Sequence, residues 1–205
     1  MLHRATVFPS SLELLKKLMA IPALLGFYLA RVTSLALQIG HRISVDLDLF
    51  GDRPFGTQEI LDELQDLAPI SIITQSRNIL ILNINEVQVD FVNYRYPLVA
   101  DPLLEDGLKL LTLPDIGAMK LNAIAGRGRK RDFYDLYFLL KNYSLRELIG
   151  FYLKKYNDGS EFMVVRSLSY FEDADEDEDI VQLGEKLTWN HIKQNILKEV
   201  KKHYK

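Results

Sequence analysis

Asp46 and Asp48 stand two residues apart in Ile43-Ser44-Val45-Asp46-Leu47-Asp48-Leu49-Phe50, a run that alternates apolar and polar side chains. In an extended strand, alternate residues share a face with roughly 6–7 Å between their Cα atoms, so both carboxylates project together beside Ser44. Carboxylates this close raise each other's pKa, and a divalent, oxygen-loving cation relieves the repulsion. A third acid, Asp90, interrupts the strand-like Val87-Gln88-Val89-Asp90-Phe91-Val92, where aspartate is a poor sheet former. If that strand lies beside the first, three carboxylates converge on a site for Mg2+, able to clamp the attacking and leaving oxygens of a phosphoryl displacement. An Asp-x-Asp pair on an edge strand is commonly no more than solvated. What distinguishes this pair is the strand, turn and helix just ahead of it, because backbone N–H groups at a helix N-terminus favour a phosphate.

A second concentration of charge lies at residues 119–136, where Lys120, Arg127, Arg129, Lys130 and Arg131 put five cations within twelve residues, followed by Asp132 and Asp135 at i, i+3 spacing. Lys120 and Arg127 are seven apart, two turns of one helical face, and are placed to reach triphosphate oxygens or an RNA backbone. Lys120 is expected to face the carboxylates from the first helix after Pro114. The plainer alternative is a solvated helix–loop–helix in which Asp132 and Asp135 pair with Arg129 and Arg131.

The elements that must position these groups are read from periodicity. Ser10 or Ser11 is expected to cap a helix carrying Leu12, Leu15, Leu18 and Met19 up to Pro22. Residues 27–30 form a short strand, 33–39 a helix closed by Gly40, and 43–50 the strand of the Asp pair. Thr57 caps a helix carrying Ile60, Leu61, Leu64 and Leu67 that Pro69 ends. Three isoleucine- and valine-rich strands follow at 70–74, 79–84 and 87–94. Helices are expected at 116–125, 132–141, 145–156 and 190–202, and the acidic run at 172–179 reads as a solvated loop. The fold class is therefore α/β (α+β): a mixed-sheet core over residues 1–113 and a helical C-terminal region over 114–205.

Composition narrows the function classes. The chain has 205 residues and no cysteine, which excludes a disulfide scaffold, a thiolate metal site and a thiol nucleophile. Lys16 and Lys17 interrupt the apolar opening segment, and no stretch approaches the ~20 apolar residues that a membrane-spanning helix needs. A cytoplasmic protein with no membrane partner is expected. A net charge of −3 leaves no global footprint for nucleic acid, so a polyanion must be met locally.

The stretch Thr33-Ser34-Leu35-Ala36-Leu37-Gln38-Ile39-Gly40-His41-Arg42-Ile43-Ser44-Val45-Asp46-Leu47-Asp48-Leu49-Phe50 resembles the turn, helix and Arg-x-Ser-x-Asp-x-Asp of the AbiEii/AbiGii toxin nucleotidyltransferases, relatives of MenA/MenT-type toxins of toxin–antitoxin and phage-defence systems. Lys120-x-x-Ala123-x-x-x-Arg127 with Arg131-Asp132-x-x-Asp135 is similar to the downstream motif of that family. The resemblance implies the nucleotidyltransferase fold and a Mg2+-dependent transfer of a nucleoside monophosphate from an NTP to an acceptor, tRNA or other RNA in some members, with a cognate antitoxin as a partner. It implies Asp46 and Asp48 as metal ligands, to which the strand reading adds Asp90, and Lys120 with Asp132 or Asp135 completing the catalytic set. Arg31, Thr33, Ser34, Arg42, Ser44, Lys120 and Arg127 would serve the nucleotide. Where the family has Gly-Gly or Gly-Ser in its turn, this chain has Ala30-Arg31-Val32-Thr33, and Val32 and Arg31 add bulk where backbone is meant to approach phosphate. An alternative reading follows: a nucleotidyltransferase-fold binding module with impaired turnover.

Overall fold

The computed structural model describes residues 1–65, 67, 69–178 and 180–204. The chain divides into two units, Met1–Pro97 with Asp101–Thr112, and Leu98–Ala100 with Leu113–Lys205.

The first unit is built on a seven-stranded mixed sheet, which bears out the mixed α/β class. Its elements are α1 (Pro9–Ala20), β1 (Phe27–Leu29), α2 (Arg31–Ile39), β2 (Leu47–Gly51), α3 (Thr57–Leu64), β3 (Ile70–Gln75), β4 (Ile79–Ile84), β5 (Val87–Asn93), β6 (Leu103–Glu105) and β7 (Leu108–Leu110). The strand order is β3-β4-β5-β2-β1-β7-β6. β2 runs parallel to β5 and antiparallel to β1. In β5 the even–odd pattern holds along the whole strand: Val87, Val89, Phe91 and Asn93 are buried, and Gln88, Asp90 and Val92 on the other face are half-buried. Leu15, Leu18, Leu29, Leu47, Leu82, Val89 and Phe91 form the centre of one continuous apolar core, the main source of stability for such a sheet.

Several boundaries differ from the sequence reading. α1 starts at Pro9 with Phe8 as N-cap, because proline's fixed φ suits the first helical position, where its missing N–H costs nothing. α3 has Gly56 as its N-cap and ends at Leu64, so Thr57 lies inside the helix and Leu67 beyond it; residues 66 and 68 lie outside those described. β2 begins at Leu47 rather than at residue 43. The backbone ahead of it is engaged elsewhere: Ser44 N–H donates to Thr6, Ser44 makes an isolated bridge to Val7, and β1, which would have to pair with residues 43–46, has already turned into α2. The β6–β7 hairpin was not expected. Its turn residues Asp106 and Gly107 have φ of 55° and 76°, and Asp-Gly is the short-range signal that announces such a hairpin.

The second unit is helical: α4 (Leu113–Gly126), α5 (Lys130–Leu139), α6 (Leu145–Lys155), α7 (Glu161–Ser167), α8 (Glu172–Asp175) and α9 (Trp189–His203). α4 is its axis, packed on α5, α6 and α7. Gly117 allows the close α4–α6 approach, since a Cβ there would sit 2.7 Å from Leu148 Cδ2. The acidic run is mostly exposed, as a solvated segment would be, but it is not loop throughout. Its first residues form α8, and Asp175 accepts hydrogen bonds from Trp189 and Lys193. Asp177 accepts from the Arg129 guanidinium at 2.7 Å and the Lys130 N–H at 2.8 Å. Arg129, the residue ahead of α5, and Lys193 of α9 thus offset part of the self-repulsion that pointed to a loop; Asp179 lies outside the described residues.

Candidate active site

Within the first unit, the parallel register sets Asp48 beside Asp90. Register partners on adjacent strands share a face about one strand spacing apart, roughly 4.8 Å. Asp46 lies two residues ahead, outside the strand and exposed, whereas Asp48 is buried. Thr33, fully buried on α2, ties the approach to β2 in place: its hydroxyl donates to the Asp46 carbonyl and stands 2.6 Å from the Ser44 hydroxyl. A hydroxyl has one proton, so Ser44 is the donor in the second bond. Ser34 is spent on packing α2, donating to the Leu111 carbonyl at 2.9 Å and accepting from Gln38 at 3.0 Å. Arg42 is buried with its Nη1 3.5 Å from the Ile43 carbonyl.

Arg31, the first residue of α2, has φ of 52°, the left-handed region that costs a side-chain-bearing residue about 1–2 kcal/mol. Val32 is not in that region. The chain therefore keeps a glycine-type turn and pays its strain at Arg31. The Arg31 guanidinium donates to Asp48 Oδ1 at 2.8 Å, and Ala30 N–H donates to the Asp48 carbonyl at 2.8 Å. Gln88 Nε2 donates to Asp90 Oδ1 at 2.9 Å. Neither of these side-chain partnerships was anticipated from the sequence, although Gln88 shares a face with Asp90 by the period-two rule. Among the described residues no group of three or more His, Cys, Asp or Glu side chains is gathered tightly enough to hold a metal ion.

In the second unit, Lys120, Arg127, Asp132 and Asp135 come together. Lys120 Nζ lies 2.9 Å from Asp132 and 2.7 Å from Asp135, all three side chains being buried. Arg127 grips Asp132 with two bonds, of 3.0 and 3.2 Å. The plainer alternative, with these acids paired to Arg129 and Arg131, is not what is seen: their partners are Lys120, from α4, and for Asp132 also Arg127, just beyond the end of α4. Burial pushes the Asp132 carboxyl up, but the Lys120 charge and the Arg127 hydrogen bond and charge outweigh it and hold it below its ordinary 3.8. A group with a depressed folded-state pKa adds stability that is complete above the unfolded-state value and erodes as pH falls below it, until the folded value is passed. Asp132→Asn is thus expected to lose about 2 kcal/mol at pH 7 and to show a flatter loss of urea midpoint below about pH 4 than the wild type; parallel pH profiles would contradict this account.

The chain matches the model of the "Nucleotidyl transferase AbiEii toxin, Type IV TA system" family over residues 86–203, which takes in Asp90 and the whole Lys120–Asp135 cluster. It is 35% identical over 199 residues to the uncharacterized protein aq_aa25 of Aquifex aeolicus (strain VF5), covering 93% of this chain and 94% of that one. Among solved structures, JHP933 from Helicobacter pylori gives a TM-score of 0.49 at 17% identity, over 97% of this chain and 96% of that chain. The Megavirus polyadenylate synthase gives 0.48 at 16% identity, over 72% of this chain and 33% of that chain. The chain belongs to the AbiEii nucleotidyltransferase toxin family. It is a nucleotidyltransferase by that membership, and no described helix is long and apolar enough to cross a membrane.

Proposed function

We propose that the protein is a Mg2+-dependent enzyme that transfers a nucleoside monophosphate from an NTP to an RNA acceptor such as tRNA, acting in the cytoplasm as the toxin of a toxin–antitoxin or phage-defence pair. The observation that carries this reading is the side-by-side register of Asp48 and Asp90 on parallel β2 and β5, with the turn and helix of Arg31–Ile39 preceding β2 in the chain.

The donor set suits the ion chemically: three carboxylates and no nitrogen or sulfur ligand is a choice for a hard cation. Asp46, Asp48 and Asp90 would hold Mg2+, which when bound supplies charge neutralisation for the triphosphate and the developing transition state. The chain's own residues do the rest. Thr33 and Ser44 fix the Asp46 backbone against α2, so that the first carboxylate is presented by a segment with little freedom. Arg31 supplies a guanidinium fork beside the first turn of α2, where N–H groups lack intrahelical acceptors and favour an anion. An acceptor hydroxyl attacks the α-phosphorus and pyrophosphate leaves. In the second unit, we assign Lys120 to the charge balance of Asp132 and Asp135, which keeps that cluster in register.

The alternative reading, a binding module with impaired turnover, draws on the Arg31–Asp48 ion pair, which occupies a carboxylate that turnover needs. One experiment separates the two. Purified protein is incubated with each α-labelled NTP, Mg2+ and total tRNA, and the RNA is resolved on a gel. Label entering RNA with one or more NTPs, and lost on adding EDTA, is expected. No label from any NTP, together with Mg2+-dependent nucleotide binding, would establish the binding module instead.

A further inference from the structure

Arg31 is at once the strained residue of its turn and the partner of the buried acid. Its Nη1 lies 2.8 Å from Asp48 Oδ1, with the arginine side chain 32% and the aspartate side chain 9% exposed. The backbone closes on the same residue through the Ala30 bond to the Asp48 carbonyl, so the turn and its side chain converge on one strand position. A guanidinium on a carboxylate gives the charge compensation that a divalent ion would give. The two compete there, because each is stabilised by the Asp48 charge and the cation repels the guanidinium. A guanidinium fork has one other strong class of partner, the oxygens of a phosphate.

We propose that Arg31 is a tethered counter-ion for Asp48: it competes with the divalent cation for that carboxylate, and the phosphates of a bound nucleotide draw it away. The inference rests on the metal and triphosphate assignments made above. Its consequence is coupling. The cation alone binds weakly, and the triphosphate and the cation each favour the other's binding by the same factor, as linkage requires.

The test uses Mn2+ as the probe, titrated into the whole 205-residue chain without nucleotide, with free ion followed by electron paramagnetic resonance. Arg31→Gly suits a φ of 52° and so keeps the turn, while Arg31→Gln removes the charge and keeps a long side chain. Both variants are expected to bind Mn2+ on the order of tenfold tighter than the wild type. Metal-free binding of inorganic triphosphate, measured by calorimetry in EDTA, is expected to weaken in both. A merely loosened turn would weaken both kinds of binding, so opposite signs are the signature. Unchanged Mn2+ affinity in the two variants overturns the proposal, and unchanged triphosphate affinity overturns its phosphate half. Asp46→Asn tells which premise failed. If it lowers Mn2+ binding in the Arg31→Gly background while Arg31→Gly alone changes nothing, the metal site stands and Arg31 has no part in it. If Mn2+ binding is indifferent to every one of these changes, the metal assignment falls and this inference falls with it.

Discussion

Asp46→Asn is expected to lower the initial rate of metal-dependent nucleotide transfer by roughly 10²–10³-fold, the range seen when one preorganised electrostatic contact to a transition state is removed, and to leave the fold intact. The separation of the two effects follows from where Asp46 sits. Its side chain is exposed, while the contact that ties this residue to α2 goes through its backbone carbonyl, which accepts from Thr33 and is untouched by the substitution. An asparagine keeps the size and one oxygen but brings no charge, and a hard cation held by carboxylates depends on that charge. The measurement is label transfer against Mg2+ concentration, with thermal unfolding alongside. A rate near that of the wild type at every Mg2+ concentration would remove Asp46 from the site. A lost rate with a lowered unfolding temperature would make its role structural. Asp48→Asn is the less informative substitution, because it also releases Arg31.

What could be read from the sequence were features whose cause is local. The alternation of Val87 to Asn93 is a period-two pattern and became β5 at nearly its expected bounds. The closing of α2 by Gly40, with φ of 73°, follows from glycine's freedom at positive φ. Other features depend on partners distant in the chain. Nothing in the type of residue 31 indicates a left-handed backbone, since arginine ordinarily avoids it; the turn there is held by contacts distant in the chain, the Ala30 N–H on the Asp48 carbonyl and the Arg31 guanidinium on the Asp48 carboxylate. The pairing of Lys120 with Asp132 and Asp135 spans the α4–α5 loop, so nearest-neighbour charge spacing pointed instead to Arg129 and Arg131. The helix at the start of the acidic run, within a stretch that is otherwise exposed as its charge implies, is hidden for the same reason. Composition alone predicts repulsion, but the compensating Lys193 and Arg129 come from α9 and from the residue ahead of α5. One miss had a signal in plain view, the Asp106-Gly107 pair between Leu103 and Leu110.

Lys155→Met is expected to cost about 3–5 kcal/mol of stability, the usual consequence of stranding one partner of a buried ion pair. Lys155 and Asp115 lie 2.7 Å apart with both side chains fully buried, and each sits at the helix end that suits its charge, Asp115 in the first turn of α4 and Lys155 in the last turn of α6. Asp115 also accepts from the Val99 N–H at 3.0 Å and the Ala100 N–H at 3.2 Å, and the neighbouring Lys154 donates to the Val99 carbonyl at 2.7 Å. One carboxylate thus joins α4, α6 and residues 98–100 inside the second unit. The substitution leaves its negative charge in place without the ammonium. Adding Asp115→Asn removes that charge but keeps an oxygen for the two amides, so the double variant is expected to regain part of the loss. Denaturant unfolding of both single variants and the double variant measures this, and additive losses would show that the two residues do not act as a pair. Hydrogen exchange supplies an independent readout. Asp115→Ala should remove protection at the Val99 and Ala100 amides well before the α4 core opens, and unchanged protection there would mean that other contacts hold this segment.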